Sequence, residues 1–168
     1  MAADVNEFRM LQKITRKRTA AAGGRFVIVA STYNARYVNA MLRAAKAEIQ
    51  RAGGDLRIVR VPGAFEIPVV AAQLARPANG RAQPSAILCL GVILRGATTH
   101  AQHIGETVSA ALAQIQVDHG VPVIHEVLLL ENEQQARERC LNRTHNRGLE
   151  AAQTALTMAR VMRELPSF

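Results

Sequence analysis

The stretch at residues 87–104, ILCLGVILRGATTHAQHI, contains the pattern that decides the fold. Its first four residues, 87–90, are all apolar, as expected of a strand that is buried on both faces of a parallel sheet. We expect this strand to break at Gly91, ahead of a segment with helical periodicity. Thr99 and Gln102 have the spacing of a capping box, which predicts the start of a helix there.

A turn from a strand into a helix leaves backbone N–H groups unpaired, and the helix dipole favours negative charge at that point. The turn between Gly91 and His100 is therefore a candidate anion site. His100 lies in the first turn of the predicted helix, and an imidazole beside a bound phosphate suggests proton transfer on a phosphorylated substrate. A solvated surface histidine is the alternative, because the sequence alone shows neither a pocket nor a partner.

Predicted strands and helices alternate along the rest of the chain. The predicted strands are 25–31, 56–61, 87–90 and 121–130. The first predicted helix follows the first strand and ends at Gly53. The other predicted helices run from Pro68 to about Ala75, from about 100 to 119, and over about 131–140 and 148–163. Strict alternation predicts an α/β three-layer sandwich, with a four-stranded parallel sheet and helices on both faces. We expect the turns at 33, 62–66, 91–100 and 125–126 to meet at the carboxyl ends of the strands, where ligands bind in such sheets.

Length and composition indicate one folded domain preceded by a basic arm. The chain has 168 residues, of which 49 % are hydrophobic, and residues 1–24 lack a clear periodicity. We therefore interpret 1–24 as an N-terminal arm and 25–168 as the domain. No apolar run reaches the ~18 residues of a membrane span, and the N-terminus lacks a signal-peptide core, which predicts a cytoplasmic location. Cys89 lies in the apolar run and is interpreted as a small core residue.

The formal charge of +8 raises the question of nucleic-acid binding. Aromatic residues are only 4 % of the chain, which leaves few platforms for stacking on bases. The densest basic cluster, 13–18, belongs to the arm. Nucleic-acid contact is therefore kept only as a secondary property, and anionic substrates with a solvated surface account for the charge.

The turn at 62–68, PGAFEIP, is the second informative segment. A helix that begins there offers backbone donors, Phe65 an apolar wall and Glu66 an acceptor, which together suit an aromatic heterocycle rich in N–H and C=O groups. Tyr33, after the first strand, could stack on such a ring. The alternatives are that Phe65 is core, that Glu66 only favours the helix start, and that Tyr33 is an ordinary loop residue.

Several common site types find no support in the sequence. GxGxxG and GxxxxGK[ST] are both absent, which argues against dinucleotide and ordinary nucleotide triphosphate binding. His100 and His103 have i,i+3 spacing, but a third metal ligand is not evident, so no metal is predicted. Arg139 shares its predicted helix with Glu133, and an exposed ion pair is one interpretation of it.

Three segments together resemble the lumazine synthase family: VPGAFEIP at 61–68, GVILRGATTH at 91–100, and GVPVIHEVLLLEN with QARER between 120 and 139. The resemblance covers about 26–160. It implies a flavodoxin-like fold and assembly at least as homopentamers, with the active site between adjacent subunits. It also implies a transferase of riboflavin biosynthesis that works without a cofactor, joining 5-amino-6-(D-ribitylamino)uracil to 3,4-dihydroxy-2-butanone 4-phosphate and releasing phosphate and water.

The resemblance also implies roles for individual residues. The residues that would hold the pyrimidine and its ribityl chain are Tyr33, which would stack on the ring, Ala64, Phe65, Glu66, Val92, Ile93 and Leu94. Ala97 and Thr98 would bind the phosphate, with Arg139 reaching in from a neighbouring subunit. His100 would be the proton shuttle. His125, also from the neighbour, stands where the family usually has Phe.

The sequence departs from the family pattern mostly on the neighbour's side of this site. Glu126 replaces a small residue, Leu129 and Leu130 replace a frequent Thr-Thr, Arg147 stands where Lys is common, and Ala101 replaces a frequent aromatic residue. A flavin or lumazine carrier and a structural shell protein are the alternatives on the same scaffold. For the assembly, like charges in the arm favour a free pentamer or a pair of pentamers over a closed shell.

Overall fold

The computed structural model describes residues 23–77 and 82–166, so the predicted arm lies outside it apart from Gly23 and Gly24. Strands and helices alternate as predicted. In chain order they are β1 Arg25–Ser31, α1 Ala35–Arg51, β2 Asp55–Val61, a 3-10 turn Ala64–Glu66, α2 Ile67–Ala75, β3 Ala86–Leu94, α3 His100–His119, β4 Val123–Leu130, α4 Glu133–Ala136, a π-helical turn Arg137–Leu141, and α5 Arg147–Glu164.

The four strands form one parallel sheet in the order β2-β1-β3-β4. Helices α1 and α5 cover one face and build the larger core cluster. Helices α2 and α3 cover the other face. The predicted flavodoxin-like α/β sandwich is thereby confirmed. Because the chain moves outward from β1 to β2 and then returns to the other side of β1, the direction of the strand order changes between β1 and β3, where parallel sheets open a crevice.

The central strand β3 is longer than predicted. It runs straight through Gly91 to Leu94, so the predicted break at Gly91 is wrong. A Cβ atom at Gly91 would lie 3.1 Å from a methyl group of Val127 and 3.3 Å from the end of Ile67. This glycine therefore allows side chains of a neighbouring strand and helix to pack closely against β3, and it does not make a turn.

The unequal length of the strands opens the sheet on one side. The last β1–β3 pair is Ala30 with Leu90, whereas β3 and β4 remain paired as far as Leu94 with Leu130. The outer end of β3 therefore has a strand neighbour on the β4 side but none on the β1 side. This arrangement leaves room for a cleft beside residues 92–94.

Two predicted helix details differ in the structure. Helix α3 begins at His100 as expected, but Thr99 makes no side-chain cap, and Gln102 donates to Glu106 at 2.8 Å, so the predicted capping box is wrong. The helix predicted at 131–140 is a short α4 followed by a π-helical turn. Asn132 caps α4 by accepting the Gln135 N–H at 3.0 Å.

The two helices on the larger core pack very closely. A Cβ atom at Gly148 would overlap the Met41 carbonyl oxygen, so α5 lies against the backbone of α1 at this point. The Cys89 and Cys140 thiols are buried and form no disulfide bond with each other. The burial of Cys89 confirms its interpretation as a core residue. None of the helices in the described part of the chain is long and apolar enough to cross a membrane.

Candidate active site

An open cleft of about 840 Å³ lies at the carboxyl ends of β1 and β3. The predicted site residues that line it are Tyr33, Ala64, Phe65, Glu66, Val92, Ile93, Leu94, Thr98 and His100. Gly63 and Gly96 also line the cleft and belong to the turns that were expected at this edge of the sheet. The lining residues that sequence reasoning did not place in the site are Asn34, Ala101, His103, Ile104 and Thr107. The cleft therefore joins the β1–α1 turn, the PGAFEIP turn and the start of α3.

The β1–α1 turn presents Tyr33 at the mouth of the cleft. The Thr32 and Tyr33 N–H groups donate to the carbonyl oxygens of Val61 and Pro62, at 2.8 and 3.0 Å respectively, which ties this turn to the end of β2. The Tyr33 side chain is 73 % exposed. A ring that is anchored through its backbone and open on its face can stack on a planar ligand.

The PGAFEIP turn forms the wall beside Tyr33. Glu66 Oε2 accepts the Gly63 N–H at 2.9 Å, so this carboxylate holds the turn as well as facing the cleft. The Phe65 side chain is 58 % exposed, so the alternative that it belongs to the core is wrong. Pro68 lies in the first turn of α2, as predicted.

The start of α3 contributes polar side chains to the cleft. Gly96 and Thr98 lead into α3, and the His100 N–H lies 3.4 Å from Thr98 Oγ1. The His100 side chain is exposed to the cleft in the first helical turn, where backbone N–H groups have no partner within the helix. Ala97 is exposed in the same turn but is not part of the cleft lining.

The signal that could have found the missed residues on α3 is helical spacing. Positions 103, 104 and 107 follow His100 by three, four and seven residues, and these intervals return to one face of a helix. Among the described residues, no group of three or more His, Cys, Asp or Glu side chains could hold a metal ion. His100 and His103 nevertheless face the same cleft.

His125 and Arg139 lie outside the cleft of their own chain. His125 is in the middle of β4, so the predicted turn at 125–126 is wrong: the strand continues to Leu130 before the chain turns. His125 Nδ1 accepts a hydrogen bond from the Val127 N–H at 3.1 Å, and His125 Nε2 lies 2.7 Å from Ser109 Oγ. Desolvation lowers the pKa of His125.

An ion-pair cluster around the buried Glu126 lies within electrostatic range of Arg139. The Glu126 side chain on β4 accepts from Arg147 Nε at 2.6 Å, and Arg147 Nη1 also donates to Glu150 at 2.7 Å. Burial raises the pKa of Glu126, while the charge and hydrogen bond of Arg147 act in the opposite direction. The Arg139 charge also acts on Glu126. Arg137 and Glu133, on the same helical segment, form an i,i+4 ion pair at 3.3 Å.

The geometry of the cleft suits two kinds of reactant group. Aromatic and apolar side chains beside backbone polar groups suit a planar heterocycle. A helix start with a hydroxyl and an imidazole suits an anion on which protons are transferred. The cleft holds these two environments side by side, so two such groups can meet within it.

Comparison with known proteins agrees with this geometry. The sequence model of the 6,7-dimethyl-8-ribityllumazine synthase family matches residues 23–163. A protein of that name from Stenotrophomonas maltophilia (strain R551-3) is 37 % identical over 145 residues, which cover 84 % of this chain and 91 % of the relative. A second, from Syntrophus aciditrophicus (strain SB), is 36 % identical over 155 residues, covering 90 % of this chain and 98 % of the relative. The chain belongs to the 6,7-dimethyl-8-ribityllumazine synthase family of enzymes.

Proposed function

We propose that the protein condenses 5-amino-6-(D-ribitylamino)uracil with 3,4-dihydroxy-2-butanone 4-phosphate to give 6,7-dimethyl-8-ribityllumazine, phosphate and water. This is the penultimate step of riboflavin biosynthesis. The observation that carries the proposal is the cleft, which is lined by both the PGAFEIP turn and the polar start of α3 in a member of this enzyme family.

The pyrimidine binds at the aromatic end of the cleft. Tyr33 stacks on the ring, while Phe65 and the residues at 92–94 form its apolar walls. Ala64 and Glu66 lie beside the ring and the ribityl chain. Because Glu66 is already held by the Gly63 N–H, its carboxylate is oriented before the substrate arrives, which lowers the entropy lost on binding.

The phosphorylated ketone binds at the start of α3. Ala97 and Thr98 hold the phosphate where the helix dipole favours negative charge. His100, in the same turn, carries the proton that amine attack, phosphate loss and ring closure require near neutral pH. Much of the remaining rate enhancement comes from holding the two substrates in register.

A neighbouring subunit completes the site. Arg139 and His125 do not line the cleft of their own chain, which supports their acting on the cleft of a neighbour: Arg139 on the phosphate and His125 on the pyrimidine side. The assembly is at least a homopentamer. The cytoplasmic location and the preference for free pentamers over a closed shell stay predictions from the sequence.

An assay of the purified protein with both substrates tests the proposal. We expect lumazine formation, and we expect His100→Ala to lower kcat by about 10²–10⁴-fold with little change in substrate binding, as when an acid–base group is lost. His119→Ala is the matched control, because His119 ends the same helix and does not line the cleft. A His100→Ala enzyme within twofold of the wild type would show that His100 is not the proton carrier.

A further inference from the structure

The turn between β1 and α1 is fastened on both sides. On the β2 side, the Thr32 hydroxyl donates to the Pro62 carbonyl oxygen at 3.0 Å, and the Tyr33 N–H donates to the same atom. On the β3 side, the Asn34 side-chain amide donates to the Val92 carbonyl oxygen at 2.7 Å. The turn that carries Tyr33 therefore bridges the ends of β2 and β3.

Asn34 adopts an unusual backbone conformation to make this bridge. Its φ is 54° and its ψ is 40°, and among the described residues it is the one non-glycine position with positive φ. Asparagine tolerates the left-handed region better than other residues with a side chain. Its carbonyl oxygen also accepts the Tyr37 and Val38 N–H groups that start α1. This conformation turns the chain into α1 while the side chain reaches β3.

The bond to Val92 lies where the β1–β3 ladder has ended. The last paired residues are Ala30 and Leu90, so Val92 lies two residues beyond the end of the pairing. The Asn34 amide supplies the donor that a longer β1 would have supplied from its backbone. Tyr33 precedes Asn34 in the chain, and both Tyr33 and Val92 line the cleft, so this bond ties together two segments of the cleft lining.

We propose that Asn34 is a positioning residue that sets the distance between Tyr33 and the Val92 wall, and with it the width of the slot for the pyrimidine ring. The inference rests on the proposed function and adds the residue that shapes its pyrimidine end. Asn34 acts through Tyr33 and Val92 and transfers no proton. The phosphate end of the cleft, at Thr98 and His100, contains no group that is bonded to Asn34.

Two substitutions test the inference. Asn34→Asp keeps the size and backbone preference of the side chain but places a carboxylate oxygen against the Val92 carbonyl, which repels it. Asn34→Gly relieves the positive φ and removes the bond. We expect the KM for the ribitylaminouracil to rise at least about tenfold in Asn34→Asp and about three- to tenfold in Asn34→Gly, as a lost hydrogen bond predicts. The KM for the phosphorylated ketone should stay within about twofold.

Asn39→Asp is the matched control. Asn39 is also on α1 and also makes a 2.7 Å side-chain bond, but to Arg60 and away from the cleft, so neither KM should change. A direct titration with the lumazine product should show the same loss of affinity in the Asn34 variants. This measurement is needed because KM depends on turnover as well as on binding.

The outcomes are distinguishable. If the wild type turns over both substrates and the Asn34 variants raise both KM values equally, or change only the unfolding midpoint, the positioning role is wrong while the proposed function stands. If the wild type forms no lumazine, the proposed function fails and the Asn34 inference fails with it.

Discussion

Replacing Glu126 should show how much its ion pair with Arg147 contributes to the free energy of unfolding. The Glu126 side chain is 5 % exposed and Arg147 is 27 % exposed, with 2.6 Å between their charged atoms. Removing one partner of a buried ion pair costs about 3–5 kcal/mol, because the other charge stays buried without compensation. Arg147 retains Glu150 and some solvent contact, so we expect Glu126→Leu to cost less, about 2–3 kcal/mol.

Replacing the other partner, Arg147, should lower the free energy of unfolding by at least as much. Arg147→Met would leave the Glu126 carboxylate in the larger core, where burial already raises its pKa. The double variant Glu126→Leu with Arg147→Met replaces both charges by apolar groups, and such replacements are often neutral or stabilising. We therefore expect the double variant to be more stable than either single variant, with a coupling free energy of at least about 1.5 kcal/mol.

Urea unfolding at one fixed protomer concentration measures these differences, since assembly makes the apparent stability depend on concentration. Arg137→Met is the control, because Arg137 makes an exposed ion pair with Glu133, and its loss should cost no more than about 1 kcal/mol. Additivity of the two core substitutions within about 0.5 kcal/mol would refute the reasoning.

Two further predictions concern residues outside the cleft of their own chain. Folding lowers the pKa of His125 from 6.5. The folded protein therefore binds fewer protons than the unfolded chain in this pH range, and the contribution of His125 to the free energy of unfolding is lost as pH falls from about 6.5 through the folded-state pKa. His125→Phe should remove that part of the pH dependence of the unfolding free energy, and an unchanged slope would contradict the assignment. Arg139→Ala should raise the KM for the phosphorylated ketone by about 10–100-fold and leave the pyrimidine KM unchanged, as for a charge-assisted contact. Mixed oligomers of Arg139→Ala and His100→Ala chains should regain some activity, and no recovery would argue against a site shared between subunits.

The parts of the fold that sequence predicted well are those fixed by local pattern. The strand at 25–31 has the same bounds in the structure, because an apolar run is flanked by glycines and a turn. The Pro68 helix follows from an equally local signal. The start of α3 was predicted in the right place, although the capping box used to predict it does not form. The alternation of these elements was enough to give the layers of the sandwich.

The error at Gly91 came from contacts between residues distant in sequence, whereas the error at the capping box was local. Gly91 has the appearance of a strand break, but its lack of a side chain serves the packing of Val127 and Ile67 against β3. The capping box does not form, and the Gln102 side chain instead donates to Glu106 one turn further along α3. Likewise, the bond of Asn34 to Val92 depends on where the β1–β3 ladder ends, which the sequence does not state.

The rate of lumazine formation, measured side by side for the wild type, His100→Ala and His119→Ala, tests the central claim most directly. We predict turnover by the wild type and His119→Ala, and a loss of about 10²–10⁴-fold in kcat for His100→Ala while the substrates still bind. A wild-type protein that binds the ribitylaminouracil but forms no lumazine with the phosphorylated ketone would contradict the claim and identify the chain as a carrier on this scaffold.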